Sequence, residues 1–261
     1  MLGKFLFTGT AASAGVPVVG CSCPICTSSS PKNKRLRSAG VLVVADQTLL
    51  IDIGPDFRQQ ALTHKIDNPT GLLLTHTHYD HIAGIDELRV FNVQRKKSFP
   101  CLLSKESCAD LQKRYFYLFR PLGADSSMTA QLDLHVLEKN EGVLDFLGVK
   151  ISYMSYFQGG MKVNGFRIGD FAYVSDIREY DASIFKALHG VRKLVLSALR
   201  AAPSRIHFTL EEAVEFAHKV GAEETRLTHL SHSVDYETAN RELPPDVQLG
   251  YDGLTMEFNY R

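Results

Sequence analysis

The stretch Gly71-Leu72-Leu73-Leu74-Thr75-His76-Thr77-His78-Tyr79-Asp80-His81 decides how this chain folds and what chemistry it can hold. An apolar run of strand length ends in three imidazoles and a carboxylate, all within six residues. Imidazole suits zinc, manganese and iron, and the interleaved carboxylate supplies the negative charge that a second divalent ion needs nearby. Read as ordinary surface chemistry, Asp80 caps a helix that begins near Ile82. Capping accounts for the carboxylate and for none of the histidines. The stretch is therefore read as a metal site for two ions.

Outward from it, short apolar strands alternate with helical patterns, and no low-complexity linker divides the 261 residues. The spacing predicts strands at Phe5–Thr8, Val41–Val44, Leu49–Ile53, Leu72–Leu74 and Cys101–Leu103, with helices at Phe57–Leu62, Ile85–Val90 and Lys105–Arg114. Further strands are expected at Leu134–Leu137, Val149–Met154, Gly165–Ile168, Phe171–Val174, Lys193–Leu196, Thr225–Leu227, Val247–Tyr251 and Leu254–Phe258. Helices are expected at Asp181–Leu188, Thr209–Val220 and Tyr236–Leu243, the second opened by the capping-box spacing of Thr209 and Glu212. Two successive sets of strands with covering helices fit an α/β class with two mixed sheets packed face to face between helices. The chain is read as one domain, 1–261, of two pseudo-repeated halves of about 1–130 and 131–261, joined over Arg114–Asp133. The aromatic cluster Tyr115, Phe116, Tyr117 and Phe119 in that connection is read as core or as the contact of a homodimer.

With 29 acidic and 29 basic residues the net charge is zero, so no global field recruits nucleic acid. The basic runs Lys32, Lys34, Arg35, Arg37 and Arg95, Lys96, Lys97 are read as solvated loop faces. No apolar run approaches the roughly 18 residues needed to span a bilayer, and Met1–Phe7 lacks the length of a signal peptide. A cytoplasmic location is expected. Three of the five cysteines, Cys21, Cys23 and Cys26, follow a C-x-C-x-x-C spacing that suits thiolates around a metal better than a disulfide framework. Cys101 and Cys108 are read as small apolar side chains. Asp52, closing the strand Leu49–Ile53, is read either as a carboxylate that orients a ligand histidine or as a turn residue before Gly54-Pro55.

The pattern His-x-His-x-Asp-His after a strand resembles the signature of the metallo-β-lactamase superfamily. The segments Thr8-Gly9-Thr10, Gly15-Val16-Pro17, Cys21-Ser22-Cys23-Pro24-Ile25-Cys26, Leu50–Arg58 and Leu227–His232 are similar to motifs of its branch that includes the PhnP-type phosphodiesterases. The resemblance spans nearly the whole chain and implies the αββα sandwich. It implies that His76 and His78 hold one ion, Asp80 and His81 the other, that Asp176 bridges them, and that His229 completes the second. It further implies that His232 joins Cys21, Cys23 and Cys26 around a structural zinc, a closed tetrahedral site. His207 matches a histidine that assists the departing group, so the catalytic assignments are Asp80 and His207.

One departure concerns position 158. The branch places a further histidine there around the first ion, and this chain has Gln158. Its amide oxygen is a weaker, harder donor, so the first ion is expected to be loosely held or to be a harder metal such as manganese. Alternatively Gln158 points elsewhere and water fills the position. The activity implied is a metal-dependent phosphodiesterase acting on small cyclic phosphodiesters through a metal-bound hydroxide, with two divalent ions (manganese or zinc) and one structural zinc. An RNA-processing nuclease of the same superfamily would need a basic face and a clamping arm, and neither stands out. A weak binding protein disabled at Gln158 is the other alternative.

Overall fold

The computed structural model describes residues 1–119 and 129–260. The first sheet is built from β1 (Leu2–Gly9), β2 (Ala39–Val44), β3 (Gln47–Ile51), β4 (Gly71–Leu73), β5 (Phe99–Ser104) and β6 (Leu132–Leu137). The second takes β7 (Glu141–Phe146), β8 (Val149–Gln158), β9 (Met161–Ile168), β10 (Phe171–Val174), β11 (Lys193–Ser197), β12 (Glu224–Thr228) and β13 (Val247–Leu249). A last strand, β14 (Thr255–Asn259), returns to pair with β1, so the orders are β14-β1-β2-β3-β4-β5-β6 and β13-β12-β11-β10-β9-β8-β7. Both sheets are mixed: β3 to β6 and β10 to β13 run parallel, the rest antiparallel.

Period-two alternation distributes these strands between three apolar layers. In β10, Phe171 and Tyr173 pack between the sheets with Phe5, Phe166 and Phe258, while Ala172 and Val174 face the opposite way. In β3 and β4, Leu49, Ile51 and Leu73 join the layer between the sheets, while Leu50 and Leu72 pack outward. That outer face is covered by α1 (Phe57–His64), α2 (Tyr79–Ile82), α3 (Arg89–Arg95) and α4 (Lys105–Arg114). The second sheet is covered by α5 (Ile184–Ala187), α6 (Leu210–Val220) and α7 (Tyr236–Glu242), with Ala213, Phe216, Ala217 and Ala239 facing it. These layers are the αββα sandwich. Thr209 and Glu212 form the expected capping box at α6.

Two expectations change. The strand β7 has Glu141 and Asp145 on its exposed face and a glycine at its second position, so its half-buried edge gives no strand signal. The half-to-half connection expected over Arg114–Asp133 includes residues 120–128, which lie outside the described residues. Beyond it β6 still belongs to the first sheet, so the chain crosses to the second between Leu137 and Glu141. In the aromatic cluster, Tyr115, Tyr117 and Phe119 pack against the first sheet's outer core, which favours the core reading.

Candidate metal centre

Five residues of the centre sit at or just past the carboxyl end of a strand, while Asp80 and His81 lie on α2. Asp52 follows β3, His76 follows β4, Gln158 closes β8, Asp176 follows β10 and His229 follows β12. Open α/β sheets gather their ligands at such ends. Asp52, Asp176 and His229 all take left-handed backbone, with φ of 61°, 55° and 61°. Side-chain-bearing residues pay for that conformation, on the order of 1–3 kcal/mol each, and it clusters where packing turns a side chain towards a site.

Asp52 is the hub. Its Oδ2 accepts His81 Nδ1–H at 2.6 Å, and the Thr75 amide and hydroxyl donate to its carboxylate at 2.8–3.0 Å. Thr75 Oγ1, its own proton committed to Asp52, accepts from His76 Nδ1–H at 3.0 Å. One carboxylate thus fixes the tautomers of two histidines and frees both Nε2 lone pairs for a metal. These are the contacts of a carboxylate that orients a histidine. Gly54 makes the approach possible: a Cβ there would lie 2.1 Å from the Asp80 carbonyl oxygen, and Ile53 N–H donates to His81 O. From the other side α4 steadies the loop, with Thr77 Oγ1 donating to Asp110 and Arg114 to Thr77 O.

The donors form a ring. His81 Nε2 lies 3.4 Å from Asp80 Oδ2 and 3.3 Å from Asp176 Oδ2, and His229 Nε2 lies 3.3 Å from Asp80 Oδ2 and 3.2 Å from Asp176 Oδ1. Bonds of about 2.0–2.2 Å to nitrogen and oxygen give donor-to-donor edges of roughly 2.9–3.4 Å, so the ring fits a divalent ion. His76 Nε2 and His78 Nδ1, 2.9 Å apart, converge beside it. Three buried polar atoms here have no hydrogen-bond partner among the described residues: His81 Nε2, His229 Nδ1 and Gln158 Oε1. Three buried carboxylates, Asp52, Asp80 and Asp176, without a cation would be very costly.

The titrations carry the same message. Burial opposes charge on His81, yet Asp52, Asp176 and Asp80 together push it well above the ordinary histidine value. Burial also opposes charge on Asp80 and Asp176, and the histidines around them hold both well below the usual carboxylate range. Desolvation, and then His81, hold His76 well below its ordinary value, as a neutral ligand requires. Desolvation and His229 lower His207 to about 4.

Gln158, closing β8, also faces the centre. It is buried in the site, held there by the two-residue turn Gly159-Gly160, whose φ values of 53° and 83° suit a tight hairpin. It turns its amide nitrogen to Asp176 Oδ1 at 3.0 Å, and a nitrogen with its hydrogens aimed at a carboxylate is not a ligand. The same nitrogen lies 3.1 and 3.2 Å from the two ring nitrogens of His207.

The structure brings Cys21, Cys23, Cys26 and His232 together. Cys21, Cys23 and Cys26 Sγ lie 3.4, 3.6 and 3.5 Å from His232 Nδ1. A tetrahedral zinc with bonds of about 2.3 Å to sulfur and 2.0–2.1 Å to nitrogen sets such edges at roughly 3.5 Å. The Cys26 N–H that donates to Cys23 Sγ holds that thiol down at about 6, so its thiolate is at hand near neutrality. Pairing of Ala11 and Ala12 with Leu230 brings the cysteine loop against the segment that carries His229 and His232. Arg35 cements this junction, donating to the carbonyls of Lys32 and Val234 from a buried position. The reading of Lys32–Arg37 as a solvated basic face is thereby corrected, since Arg37 is also paired, with Asp56 at 2.8 Å. Charge in the sequence could not reveal that Arg35 serves as a buried carbonyl clamp.

Residues 47–230 match the beta-lactamase superfamily domain, and the chain belongs to that superfamily of metallo-β-lactamase-fold proteins. Its likeness to the PhnP type is also found in structure. A diphosphatase from the PhnP family is 32% identical, with a TM-score of 0.91, over 99% of this chain and 98% of that one. Zinc-bound PqqB from Methylobacterium extorquens, 18% identical with a TM-score of 0.76 over 97% of this chain and 99% of that one, shares the fold. An octanoyltransferase of Porphyromonas gingivalis is 31% identical over 255 residues, 96% of this chain; the chain spans about half (51%) of that relative's length.

Proposed function

We propose that this metallo-β-lactamase-fold hydrolase cleaves a phosphoric ester linkage, a diester or a diphosphate, in a small molecule. The observation that carries the reading is the cleft of about 300 Å³ directly over the donor ring, bounded by Ser13, Tyr79 and Ile206 at its mouth and by Asp80, Asp176 and His229 at its base. Its volume is that of a small-ligand pocket, too small to take a nucleic-acid duplex. The kinship with a PhnP-family diphosphatase supports phosphoryl chemistry.

Two divalent ions bound here would supply positive charge to the phosphoryl oxygens and lower the pKa of coordinated water from 15.7 to about 7. His76, His78, Asp80, His81, Asp176 and His229 would hold them. The protein's own work is preorganisation. Asp52 and Thr75 keep His81 and His76 in the ligand tautomer, and the left-handed backbone of Asp176 and His229 aims both side chains at one locus. The buried strand ends exclude water from all but the open mouth, where each electrostatic contact is worth more than in bulk solvent. The cysteine set supports a structural zinc, and its free cysteines suit a reducing cytoplasm.

The test is a panel of cyclic nucleotide phosphates, dinucleotide diphosphates and bis-p-nitrophenyl phosphate, assayed after reconstitution with zinc or manganese. Turnover of at least one ester class, abolished in Asp80→Asn, supports the reading. Inertness towards every member with either metal overturns it.

A further inference from the structure

We propose that His207 serves this chain as a metal ligand, supplying the imidazole that position 158 lacks, so that an ion is held between Asp176, His207 and His229. The inference rests on the reading that the centre binds divalent ions.

Ligand atoms of Asp176, His207 and His229 lie within 4.8 Å of one another, in a buried group that overlaps the donor ring. His229 Nε2 is 3.2 Å from Asp176 Oδ1, and His207 Nδ1 is 3.5 Å from that same oxygen. Both separations are near the edges of a coordination shell with bonds of about 2.0–2.2 Å. The two rings stack at 4.7 Å between centroids with 30° between planes, which lets both present nitrogen edges to one carboxylate without collision. His78 behaves differently: it approaches His76 and belongs to no group of three donors among the described residues.

Gln158 explains why His207 is free to do this. A histidine at 158 would itself claim the free side of Asp176 Oδ1. Gln158 instead places an amide nitrogen there, 3.0 Å from the carboxylate and 3.1 and 3.2 Å from the His207 nitrogens. It buttresses the ring and offers no lone pair from that atom. The imidazole count of the centre is restored from the loop before α6. A ring nitrogen bound to an ion has no lone pair left to carry a proton, so the ligand role excludes proton donation to the leaving group from that nitrogen.

Cobalt titration followed by visible absorption separates the two roles, with ion content after dialysis measured by mass spectrometry. The cysteine set provides an internal control, because its thiolate-to-cobalt band reports an intact fold independently of the active centre. His207→Ala should keep that band, lose cobalt affinity at the active centre by about 10- to 100-fold or more, and change the visible spectrum of the remaining ion. His207→Gln should recover part of the affinity through its amide oxygen. If His207→Ala binds the same number of active-centre ions with unchanged affinity and spectrum, the proposal is overturned and His207 is left to proton transfer. If the unaltered protein binds cobalt only at the cysteine set, the reading of the centre as a metal site fails, and this proposal with it.

Discussion

His81 Nδ1 and Asp52 Oδ2 are 2.6 Å apart, both side chains completely buried. No water competes for that hydrogen bond, so the His81 ring cannot turn, and its opposite nitrogen faces Asp80 and Asp176 at 3.3–3.4 Å. Through Thr75 Oγ1 the same carboxylate reaches His76. A single buried aspartate therefore sets the orientation of two histidines.

Asp52→Asn should lower affinity for active-centre ions by about 10- to 100-fold, the range seen when partners behind a metal-bound histidine are lost. Thr75→Val, which cuts only the path to His76, should act in the same direction and less strongly. Competition with a coloured chelator measures both; unchanged affinity in Asp52→Asn would show that packing alone orients His81.

Cys23→Ser should reduce thermal stability far more than a surface substitution does. Structural zinc contributes about 10–16 kcal/mol in isolated finger peptides, so even a fraction is large beside a domain stability of roughly 5–15 kcal/mol. Calorimetry with and without a strong chelator checks it. The unaltered protein should lose melting temperature slowly as zinc is extracted, and the variant should start low and not respond. Equal melting temperatures would mean that the loop is held by Arg35 and strand pairing without zinc.

Gln158→His adds an imidazole against Asp176 and should raise the number of ions retained through dialysis. The readout is the ratio of metal to protein, with manganese or zinc supplied at equal free concentration. Retention that is already complete in the unaltered protein, and falls in the variant, would assign Gln158 a positive role of its own.

Asp252 gives a pH signature away from the centre. Burial pushes its carboxyl up to about 7 despite hydrogen bonds donated by Leu36 N–H and Thr10 Oγ1 and the charge of Arg35. Its folded pKa is raised above the unfolded value of 3.8, so the protonated form is the one that folding favours. The associated stability is fully present below about pH 4 and is lost as pH rises through about 7, on the order of a few kcal/mol. Asp252→Asn should therefore be relatively more stable at pH 8 than at pH 5 when compared with the unaltered protein. Denaturant midpoints at the two pH values decide it, and parallel shifts at both would remove Asp252 from the account.

What could be read from the chain alone followed from local spacing. Unbroken apolar runs in Phe171–Val174 and Leu194–Leu196 mark strands buried on both faces, and Thr209 with Glu212 marks the start of α6, because run length and capping are properties of neighbouring residues. His76–His81 and Cys21–Cys26 mark candidate metal ligands for the same reason: their donors are close in sequence before they are close in space. The edge strand β7 escaped this logic, since one exposed face and a glycine leave no pattern to read.

Tertiary structure alone decided the contacts between distant segments. It brought Asp52 to His81, turned the Gln158 nitrogen towards Asp176, set His207 beside His229, and buried Arg35 under carbonyls from both ends of the chain. The direction in which a side chain points past a strand end depends on backbone such as the left-handed Asp52, Asp176 and His229, and only packing against the rest of the molecule holds non-glycine residues there.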